Sequence, residues 1–480
     1  MKRKPMSLNV LLNGIKTVLS LIFPLITFPY ITRTLGPEGI GKANFSNSIA
    51  SYFILLGSLG IVTYSIREGA KKCDNKEKLE CFASEIWTLS ILASAVAYVC
   101  LFVTMLLCNG LRGYRILIMM YSLQITFNAL SMEWVLNIYE EYTYVTVRSF
   151  ILQVLSLVLL FLLVRKPTDV YMYVLVQLFS MAGVAISNHI YVRRKIKFRM
   201  VWSKEMIRHL PSIMLIFSTT LATAIYVNLD TSMLGILCGD EQVGYYTVAA
   251  KLYNIIKALI NSMVTVYAVR LCGQYCQNRK EYFETFNEAF QIIVLLTIPI
   301  AIGGYLLRTE IILVLGGEEY LAAAASMALL LFSIIPATLG NLYGSGALLV
   351  INQEKNMLMA TSIGTIANVI LNYFLIYWLK CSGAALATLI TECLVCSILV
   401  LRAHHYIRLK TSGKHLLKVI MSSMAFVPII WGIKHLEMSF WIKLILEIVI
   451  CAFAYVGILY ALHDELIWEL VDKLTRRRHR

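Results

Sequence analysis

The sequence predicts an all-α integral membrane protein with about fourteen transmembrane helices, arranged as two pseudo-symmetric six-helix bundles followed by two C-terminal helices. Three observations predict this class: an apolar composition, apolar segments long enough to cross a bilayer, and a polar-loop motif that occurs twice. Hydrophobic residues make up 59% of the 480 residues and charged residues 15%, and the mean hydropathy is +0.71. A soluble chain of this length would carry more charge.

The apolar segments reach the roughly 20 residues that a helix needs to cross a bilayer. The first lies near 8–31 and the last near 440–461. No small-residue cleavage site follows the first segment, so we do not interpret it as a cleaved signal peptide. The connections are short, and we therefore expect no inserted soluble domain such as an ATPase or a glycosyltransferase.

Lysine and arginine are unevenly distributed among the connections. The two terminal segments and the even-numbered connections are basic, and one of them carries Arg193, Arg194 and Lys195 in a row. The odd-numbered connections hold only Arg33, Arg112, Arg165, Lys166, Arg308, Lys380 and Lys434. The positive-inside rule then places both termini in the cytoplasm, which requires an even number of spans. We attribute the net charge of +15 to this topology and to attraction by anionic lipids, and not to nucleic acid binding.

Catalytic and metal-binding patterns are missing from the sequence. The eleven cysteines are scattered through spans and cytoplasmic loops, and neither H-E-x-x-H nor G-x-S-x-G occurs. Gly36 to Lys42 fits G-x-x-x-x-G-K, but Ala43 stands where a P-loop needs Ser or Thr to hold magnesium. We interpret these glycines as a tight turn and a helix start. We therefore predict no enzymatic activity, no cofactor and no metal site.

The polar-loop motif indicates an internal duplication. Gly36-Pro-Glu-Gly-Ile-Gly41 recurs as Gly239-Asp-Glu-Gln-Val-Gly244, 203 residues later, and each copy joins two apolar segments. Six segments separate the copies, so both have the same orientation and the implied symmetry axis runs along the membrane normal. The predicted domains are a first lobe at 1–205, a second lobe at 206–405, and two peripheral helices with a basic cytoplasmic tail at 406–480. Two such bundles around a central path are typical of transporters.

A polar face follows each copy of the motif into the next helix. In the second span, Asn44, Ser48, Ser51 and Ser58 lie within about 80° of one another, and Asn47 adds to this face. The repeat-equivalent positions of the eighth span hold Thr247, Lys251, Asn254 and Asn261, joined by Lys257 and Thr265. Such residues can simply pack helices together. The two lysines favour a water-filled cavity, because a charge inside a span is costly unless it is hydrated or paired.

The candidate substrate-binding residues on these two faces are Asn47, Ser51, Lys251, Asn254, Lys257 and Asn261. Lys16 in the first span is a further candidate, with snorkelling to the surface as the alternative. Arg33 follows that span, and its planar guanidinium suits either phosphate oxygens or an interfacial anchor. Asp230 in the seventh span is a candidate ion relay or gate, or the partner of a lysine that holds the bundle together.

Four other ionisable residues lie within or beside predicted spans. Arg148 begins the fifth span, and we expect it to snorkel to the cytoplasmic edge. Glu133, Glu392 and Glu447 are intramembrane acids. Each of them is either a helix-pairing group or a proton site, and the sequence does not rank them.

Several segments resemble the bacterial polysaccharide-repeat-unit flippases. Arg33 to Gly41 matches the signature R-x-L-G-x-x-x-x-G of that family. Asp230 to Gly235 resembles its D-x-x-x-L-G segment, and Val243 to Lys251 resembles V-G-Y-Y-x-x-A-x-K. Arg67-Glu68 also fits, and the resemblance extends along essentially the whole chain. It implies the multidrug/oligosaccharidyl-lipid/polysaccharide exporter superfamily, whose MATE-like fold has two six-helix lobes around a cavity that opens alternately to each side.

The resemblance further implies a flippase of the bacterial cytoplasmic membrane. Members of the family move undecaprenyl-diphosphate-linked oligosaccharides to the outer leaflet for O-antigen, lipopolysaccharide, capsule or exopolysaccharide assembly. The implied partners are this lipid-linked glycan, the lipid bilayer, and a polysaccharide polymerase and ligase, and we expect a monomer. Arg33, Asp230 and Lys251 fall within the matching motifs. A role for Lys16 and Lys257 in offsetting the diphosphate charge is inferred from their positions alone.

Two other functions compete with this one. A drug/cation antiporter of the same superfamily would have the same number of spans, but such exporters commonly carry an acidic residue in the first span. That span holds Lys16 and neither Asp nor Glu, and a cationic cavity repels cationic drugs. A membrane scaffold or a glycan polymerase is the third alternative. A polymerase should have a large outer loop, and the odd-numbered connections are too short for one.

Overall fold

The protein is described by a computed structural model that covers residues 6–404, 406–407 and 413–468, with side chains throughout except at 6–22, 219, 222 and 223. Within this part of the chain the regular secondary structure is helical, and no β-strand occurs. The all-α class predicted from the sequence is therefore confirmed. The chain forms two compact units, the N-terminal unit Met1–Thr247 and the C-terminal unit Val248–Arg480. The lobe boundaries at 205 and 405 stay a prediction.

The helices of the N-terminal unit are α1 (Met6–Ser58), α2 (Ile61–Ala70), α3 (Lys76–Leu107), α4 (Arg115–Ser131), α5 (Glu133–Ile138), α6 (Tyr142–Leu163), α7 (Val170–Lys195) and α8 (Leu210–Cys238). Helix α9 (Asp240–Gln277) begins in this unit. The C-terminal unit continues with α10 (Arg279–Leu306), α11 (Arg308–Leu315), α12 (Ala324–Asn341), α13 (Glu354–Ala403), α14 (Gly413–Met424), α15 (Phe426–Lys434) and α16 (Phe440–Ala461).

The helices account for the fourteen predicted spans. In the described residues, 10 helical stretches are long and apolar enough to cross a membrane. Two of them are each interrupted once by a non-helical residue, α1 at Gly36 and α13 at Lys380, and therefore supply two spans each. Adding the shorter helix α4 and the helix α8 brings the number to fourteen. The chain is thus a multi-span integral membrane protein.

Two large apolar clusters contribute to the core of the N-terminal unit. One joins α1, α4, α6 and α7 through residues such as Leu35, Ile40 and Tyr121. The other joins α2, α5, the start of α3 and the end of α7, and it contains Phe82, Trp134 and other buried residues. The second cluster therefore lies at the end of the unit where the predicted cytoplasmic connections meet.

The segment that joins α7 to α8 is attached to α3 by a regular set of hydrogen bonds. The backbone N–H groups of Lys197, Arg199 and Val201 donate to side chains of α3 spaced four residues apart. The acceptors are Glu80 Oε1 at 2.8 Å, Ser84 Oγ at 3.2 Å and Thr88 Oγ1 at 3.1 Å. Every second residue of an extended chain advances about as far as one turn of a helix, so the two spacings match.

The last two spans pack against α10, and their peripheral position outside the repeat stays a prediction. Phe426, Leu444 and Tyr455 share an apolar cluster with Val294 and Ile298 of α10. Two polar contacts hold this arrangement. His415 Nδ1 lies 2.7 Å from Asp464 Oδ2, and the Tyr455 hydroxyl donates to the carbonyl oxygen of Leu295 at 2.7 Å.

Candidate functional site

The two copies of the polar-loop motif have the same backbone conformation. Gly36 has φ 66° and ψ 176°, and its equivalent Gly239 has φ 84° and ψ −178°. An L-residue rarely adopts this region, which is essentially reserved for glycine. Each glycine therefore ends one membrane helix and starts the next, as the sequence predicts. A helix and not a strand precedes each copy, so the motif is not a P-loop.

The two copies contact each other through a symmetric pair of close approaches. A Cβ added at Gly41 would lie 1.7 Å from the carbonyl oxygen of Asp240. A Cβ added at Gly244 would lie 2.1 Å from the carbonyl oxygen of Pro37. Gly41 corresponds to Gly244 in the repeat, and Pro37 corresponds to Asp240. The contact is therefore two-fold related, and it requires glycine at both positions because any side chain would meet backbone atoms.

The polar face of the first copy is bonded mostly within its own helix. The Asn44 amide donates to the carbonyl oxygen of Ile40 at 2.9 Å, and the Ser51 hydroxyl donates to that of Asn47 at 2.7 Å. Ser48 is buried and its hydroxyl is the acceptor of a 3.1 Å bond from Ser232 Oγ of α8. Asn47 and Ser51 are half-buried. The helix-packing interpretation therefore holds at Ser48.

Asp230 lies in a buried part of α8, with 5% of its surface exposed. The hydroxyl of Tyr246 donates to Asp230 Oδ2 at 2.5 Å. Two residues further along, Ser232 Oγ lies 3.1 Å from the Tyr52 hydroxyl, which links α8 to the second half of α1. A buried carboxylate at this position can hold helices together or change its protonation during a transport cycle.

The polar face of α9 carries the two intramembrane lysines. Lys251 is half-buried and Asn254 is exposed. Lys257 Nζ lies 2.7 Å from Glu392 Oε1 of α13 and donates to the Tyr253 hydroxyl at 2.9 Å. The Lys257 side chain is 26% exposed, whereas that of Glu392 is 9% exposed. The ammonium group is thus paired with an acid, which is one way in which a charge inside the bilayer is stabilised.

The polar face of α9 continues beyond this ion pair. The Asn341 amide of α12 donates to Asn261 Oδ1 at 2.9 Å. The Ser345 hydroxyl donates to the carbonyl oxygen of Asn341 at 2.6 Å, within the first turn of a π-helical segment at Leu342–Leu348. π-Helical turns widen a helix and often occur at functional sites.

Two of the candidate residues precede the first copy of the motif in α1. Arg33 is exposed and precedes the turn at Gly36. Lys16 lies in α1, but its side chain is outside the described residues, as are those of Thr219 and Thr223 of α8. The structure therefore gives the surroundings of Asp230, Lys257 and Asn261 directly and leaves the role of Lys16 a prediction.

The interpretation of Arg148 as a snorkelling side chain is wrong. Arg148 is 7% exposed, and its guanidinium donates to the side-chain oxygen of Asn188 in α7. The Asn188 amide in turn donates to Ser131 Oγ of α4 at 2.9 Å. Because Asn188 of α7 and Ser149 of its own helix accept its hydrogen bonds, the guanidinium is stabilised inside the unit and need not reach the membrane surface.

Sequence reasoning did not assign partners to the lysines. Tyr253 could have been found, because it precedes Lys257 by four residues and so lies on the same face of α9. Glu392 was recognised as an intramembrane acid but could not be ranked against Glu133 and Glu447. It is far from Lys257 in sequence, and no sequence pattern indicates that the two residues are in contact. The partner of Asp230 follows in the next helix, within the V-G-Y-Y segment.

Comparison with known proteins decides the family. A sequence model described as "Polysaccharide biosynthesis protein" matches residues 8–268, more than half of the chain. The chain belongs to this polysaccharide biosynthesis protein family. A second sequence model, described as MatE, matches residues 215–374. The family and superfamily inferred from the motifs are therefore confirmed.

Curated relatives extend along most of this family member. A protein of Escherichia coli (strain K12) named "Putative O-antigen transporter" is 24% identical over 405 residues, which cover 82% of this chain and 95% of the relative. A protein of Shigella dysenteriae with the same name is 22% identical over 401 residues, covering 81% and 98%.

Solved structures share the fold of this family member. "Lipid II flippase MurJ, inward closed conformation" superposes with a TM-score of 0.76 at 18% identity, covering 95% of this chain and all of that one. A multidrug resistance MATE family transporter of the MOP superfamily, in an inward-facing conformation, gives a TM-score of 0.63 at 14% identity, covering 83% and 97%. The predicted MATE-like fold is thus confirmed.

Proposed function

We propose that the chain is a flippase that moves undecaprenyl-diphosphate-linked oligosaccharides across the bacterial cytoplasmic membrane. The observation that carries this proposal is the polar face of α9, where Lys251, Asn254, Lys257 and Asn261 lie within one membrane helix. A helix with this face suits a substrate that combines a negatively charged group with many hydroxyls. The names of the relatives, O-antigen transporters matched along nearly their whole length, support the same substrate class.

Lys251 and Lys257 would offset the charge of the diphosphate as it leaves water. A charged phosphate is costly to bury in a low-dielectric environment unless cations accompany it. The neighbouring Asn254 and Asn261 amides can exchange hydrogen bonds with sugar hydroxyls. Arg33 and Lys16 are further candidates for contact with phosphate oxygens, and Asn47 and Ser51 for contact with the glycan.

Glu392 gives Lys257 a resident counter-ion before the substrate binds. Its carboxylate lies 2.7 Å from the lysine ammonium, so the empty site is close to neutral at this point. A diphosphate has more charge and more acceptor oxygens than a carboxylate, and it would compete for the same ammonium group. We expect binding to release Glu392, which then takes up a proton or remains hydrated.

Transport would occur by alternating access, with the headgroup exposed to one side of the membrane at a time and the lipid tail in the bilayer. The positive-inside rule orients both termini to the cytoplasm. The driving force would be an ion gradient, the membrane potential or consumption of the product outside. Asp230, buried beside Tyr246, is the candidate for a relay or gate in this cycle.

The decisive experiment is complementation of a bacterial strain that lacks its own repeat-unit flippase. We expect the chain to restore surface glycan, measured by gel analysis of extracted polysaccharide, with the same strain lacking the chain as the control. Failure with strains that make several different glycans would reject the proposal, provided that the chain is present in the membrane fraction.

A drug/cation antiporter is the second candidate, and the MatE match at 215–374 is the observation that favours it. The cationic face of α9 argues against a cationic substrate. Efflux of a cationic dye from cells that express the chain, together with absent glycan display, would support this candidate instead.

A further inference from the structure

A cavity of about 300 Å³, lined by both polar and apolar side chains, lies within the N-terminal unit. Helices α1 to α5 all contribute to its wall. The polar and aromatic residues that matter to the argument are Ser58, Trp87, Asn128, Glu133, Trp134 and Asn137. Of these residues, Ser58 alone also belongs to one of the repeated polar faces. The proposed function therefore assigns no role to this cavity.

Two helix breaks meet at this cavity. The chain leaves α1 through Leu59 and Gly60, with φ of 46° and 68°, and it leaves α4 through Met132, with φ of 43°. Left-handed backbone at Leu59 and Met132 is unfavourable for residues with a Cβ, by about 1–2 kcal/mol each. Within a membrane, such breaks are tolerated where they are buried in protein or line a hydrated cavity, because backbone groups leave the helical ladder there.

The cavity wall offers hydrogen-bonding groups that the protein does not use. In the part of the chain that the structure describes, the side-chain amides of Asn128 and Asn137 make no hydrogen bond to other residues. Asn128 is exposed and Asn137 is half-buried. Each amide can both donate and accept, which is the pairing that a sugar hydroxyl presents. The half-buried ring of Trp87 adds flat apolar surface to the same wall.

The charge of the wall is balanced. Glu133 lines the cavity, and Arg148 of α6 is close enough to interact with its carboxylate electrostatically. A chain of two hydrogen bonds also connects Arg148 to the wall. Arg148 donates to Asn188, and Asn188 donates to Ser131, which lines the cavity. Glu133 is half-buried in the wall and Arg148 is buried behind it, and an acid and a base of opposite charge together give the cavity no strong preference for a cation or an anion. Its polar groups suit a neutral ligand rich in hydroxyls.

We propose that this cavity binds a neutral sugar unit of the lipid-linked glycan, an assignment that rests on the proposed function. A pyranose ring has hydroxyls at its edge and an apolar C–H face, which match the free amides and the Trp87 ring of the wall. The volume is at the lower end of that of ligand pockets, which suits a small saccharide and excludes a long oligomer. The cavity adjoins the apolar cluster of α2, α5 and α7, since Ile61 and Trp134 belong to both, and so lies at the predicted cytoplasmic end of the unit.

The test compares two lipids on the purified full-length chain in lipid nanodiscs. One probe is the lipid-linked glycan extracted from the strain in which the chain supports display, and the other is undecaprenyl diphosphate without sugar. The variant is Asn128→Ala combined with Asn137→Ala, which removes only unused amides. Trp87→Ala is the second variant, and Trp202→Ala is its matched control because Trp202 is 74% exposed and is not part of the cavity wall.

We expect the paired asparagine variant to weaken binding of the glycan-bearing lipid about tenfold or more, the effect of one or two lost hydrogen bonds. Binding of undecaprenyl diphosphate should remain unchanged, as should the thermal unfolding temperature. Equal losses for both lipids, or no loss for either, would overturn the sugar site while leaving the flippase proposal intact. A wild-type chain that binds neither lipid would instead reject the proposed function itself.

Discussion

The two copies of the repeat share a backbone and differ in their chemistry. Gly36 and Gly239 adopt the same positive-φ conformation, and Gly41 and Gly244 pack against the opposite copy at equivalent points. The polar faces that follow are not alike. The first holds serines and asparagines bonded to nearby carbonyls, whereas the second holds Lys251 and Lys257.

This difference distinguishes residues that the fold requires, the glycines, from residues that we assign to transport, those on the polar faces. Glycine is required in both copies because the backbones approach too closely for any side chain. The face of the helix has no such restriction, so one copy could acquire charge while the other kept neutral groups that pack helices. Variants in the two classes should therefore fail in different ways.

The largest effect is expected at the glycines. Gly41→Ala places a Cβ 1.7 Å from the carbonyl oxygen of Asp240, and relief requires movement of backbone. We expect little folded protein, measured as the monodisperse fraction in detergent by size-exclusion chromatography. Gly273→Ala in α9 is the matched control, because no heavy atom lies within 4 Å of the added Cβ. A well-folded Gly41→Ala protein would contradict the close contact between the two copies.

Charge reversal on α9 should abolish transport without loss of the fold. Lys251→Glu or Lys257→Glu replaces attraction for the diphosphate with repulsion, and we expect loss of surface glycan in the complementation strain. Lys355→Glu is the control, since Lys355 is an exposed residue in the first turn of α13. Unchanged glycan display, at normal levels of membrane-inserted protein, would remove these lysines from the site.

The ion pair on α9 and α13 can be measured by a double-mutant cycle. Lys257→Met leaves Glu392 buried without its cation, and Glu392→Gln leaves the lysine with a neutral partner. We expect the double variant to lose less free energy of unfolding than the sum of the losses in the two single variants. The difference, which is the coupling free energy, should be about 1–3 kcal/mol. Thermal unfolding of the four purified proteins provides the measurement, and additive losses would show that the pair contributes nothing to stability.

The smallest effect is expected where the first face packs helices. Ser232→Ala removes hydrogen bonds to Ser48 and to the Tyr52 hydroxyl. Polar contacts of this kind inside membranes contribute about 0.6 kcal/mol on average, so we expect a small fall in unfolding temperature and normal glycan display. Ser218→Ala is the control, because the Ser218 hydroxyl donates to the carbonyl oxygen of Met214 within its own helix, one turn earlier. Lost transport in Ser232→Ala alone would give this face a role beyond packing.

The sequence predicted the features that depend on local chemistry. Apolar segment length fixed the membrane class, and the repeated glycines located the turns, because only glycine tolerates those backbone angles. The lysines and asparagines of α9 were placed on one face from helical periodicity. The pairing of Lys257 with Glu392 could not be predicted, since the two residues come from separate helices and either could have met another partner.

The breaks at Leu59 and Met132 show the same limit. Neither residue favours a left-handed backbone, so no residue type marked the end of α4, and the two breaks converge only after the helices have packed. Burial of Arg148 was likewise missed, because Asn188 reaches it from α7. The sequence by itself determined which segments enter the membrane, where they turn and which faces are polar, since these follow from side-chain solubility and backbone sterics. Only the tertiary structure decided which buried charges are neutralised and where a cavity opens, because both depend on groups that distant parts of the chain bring together.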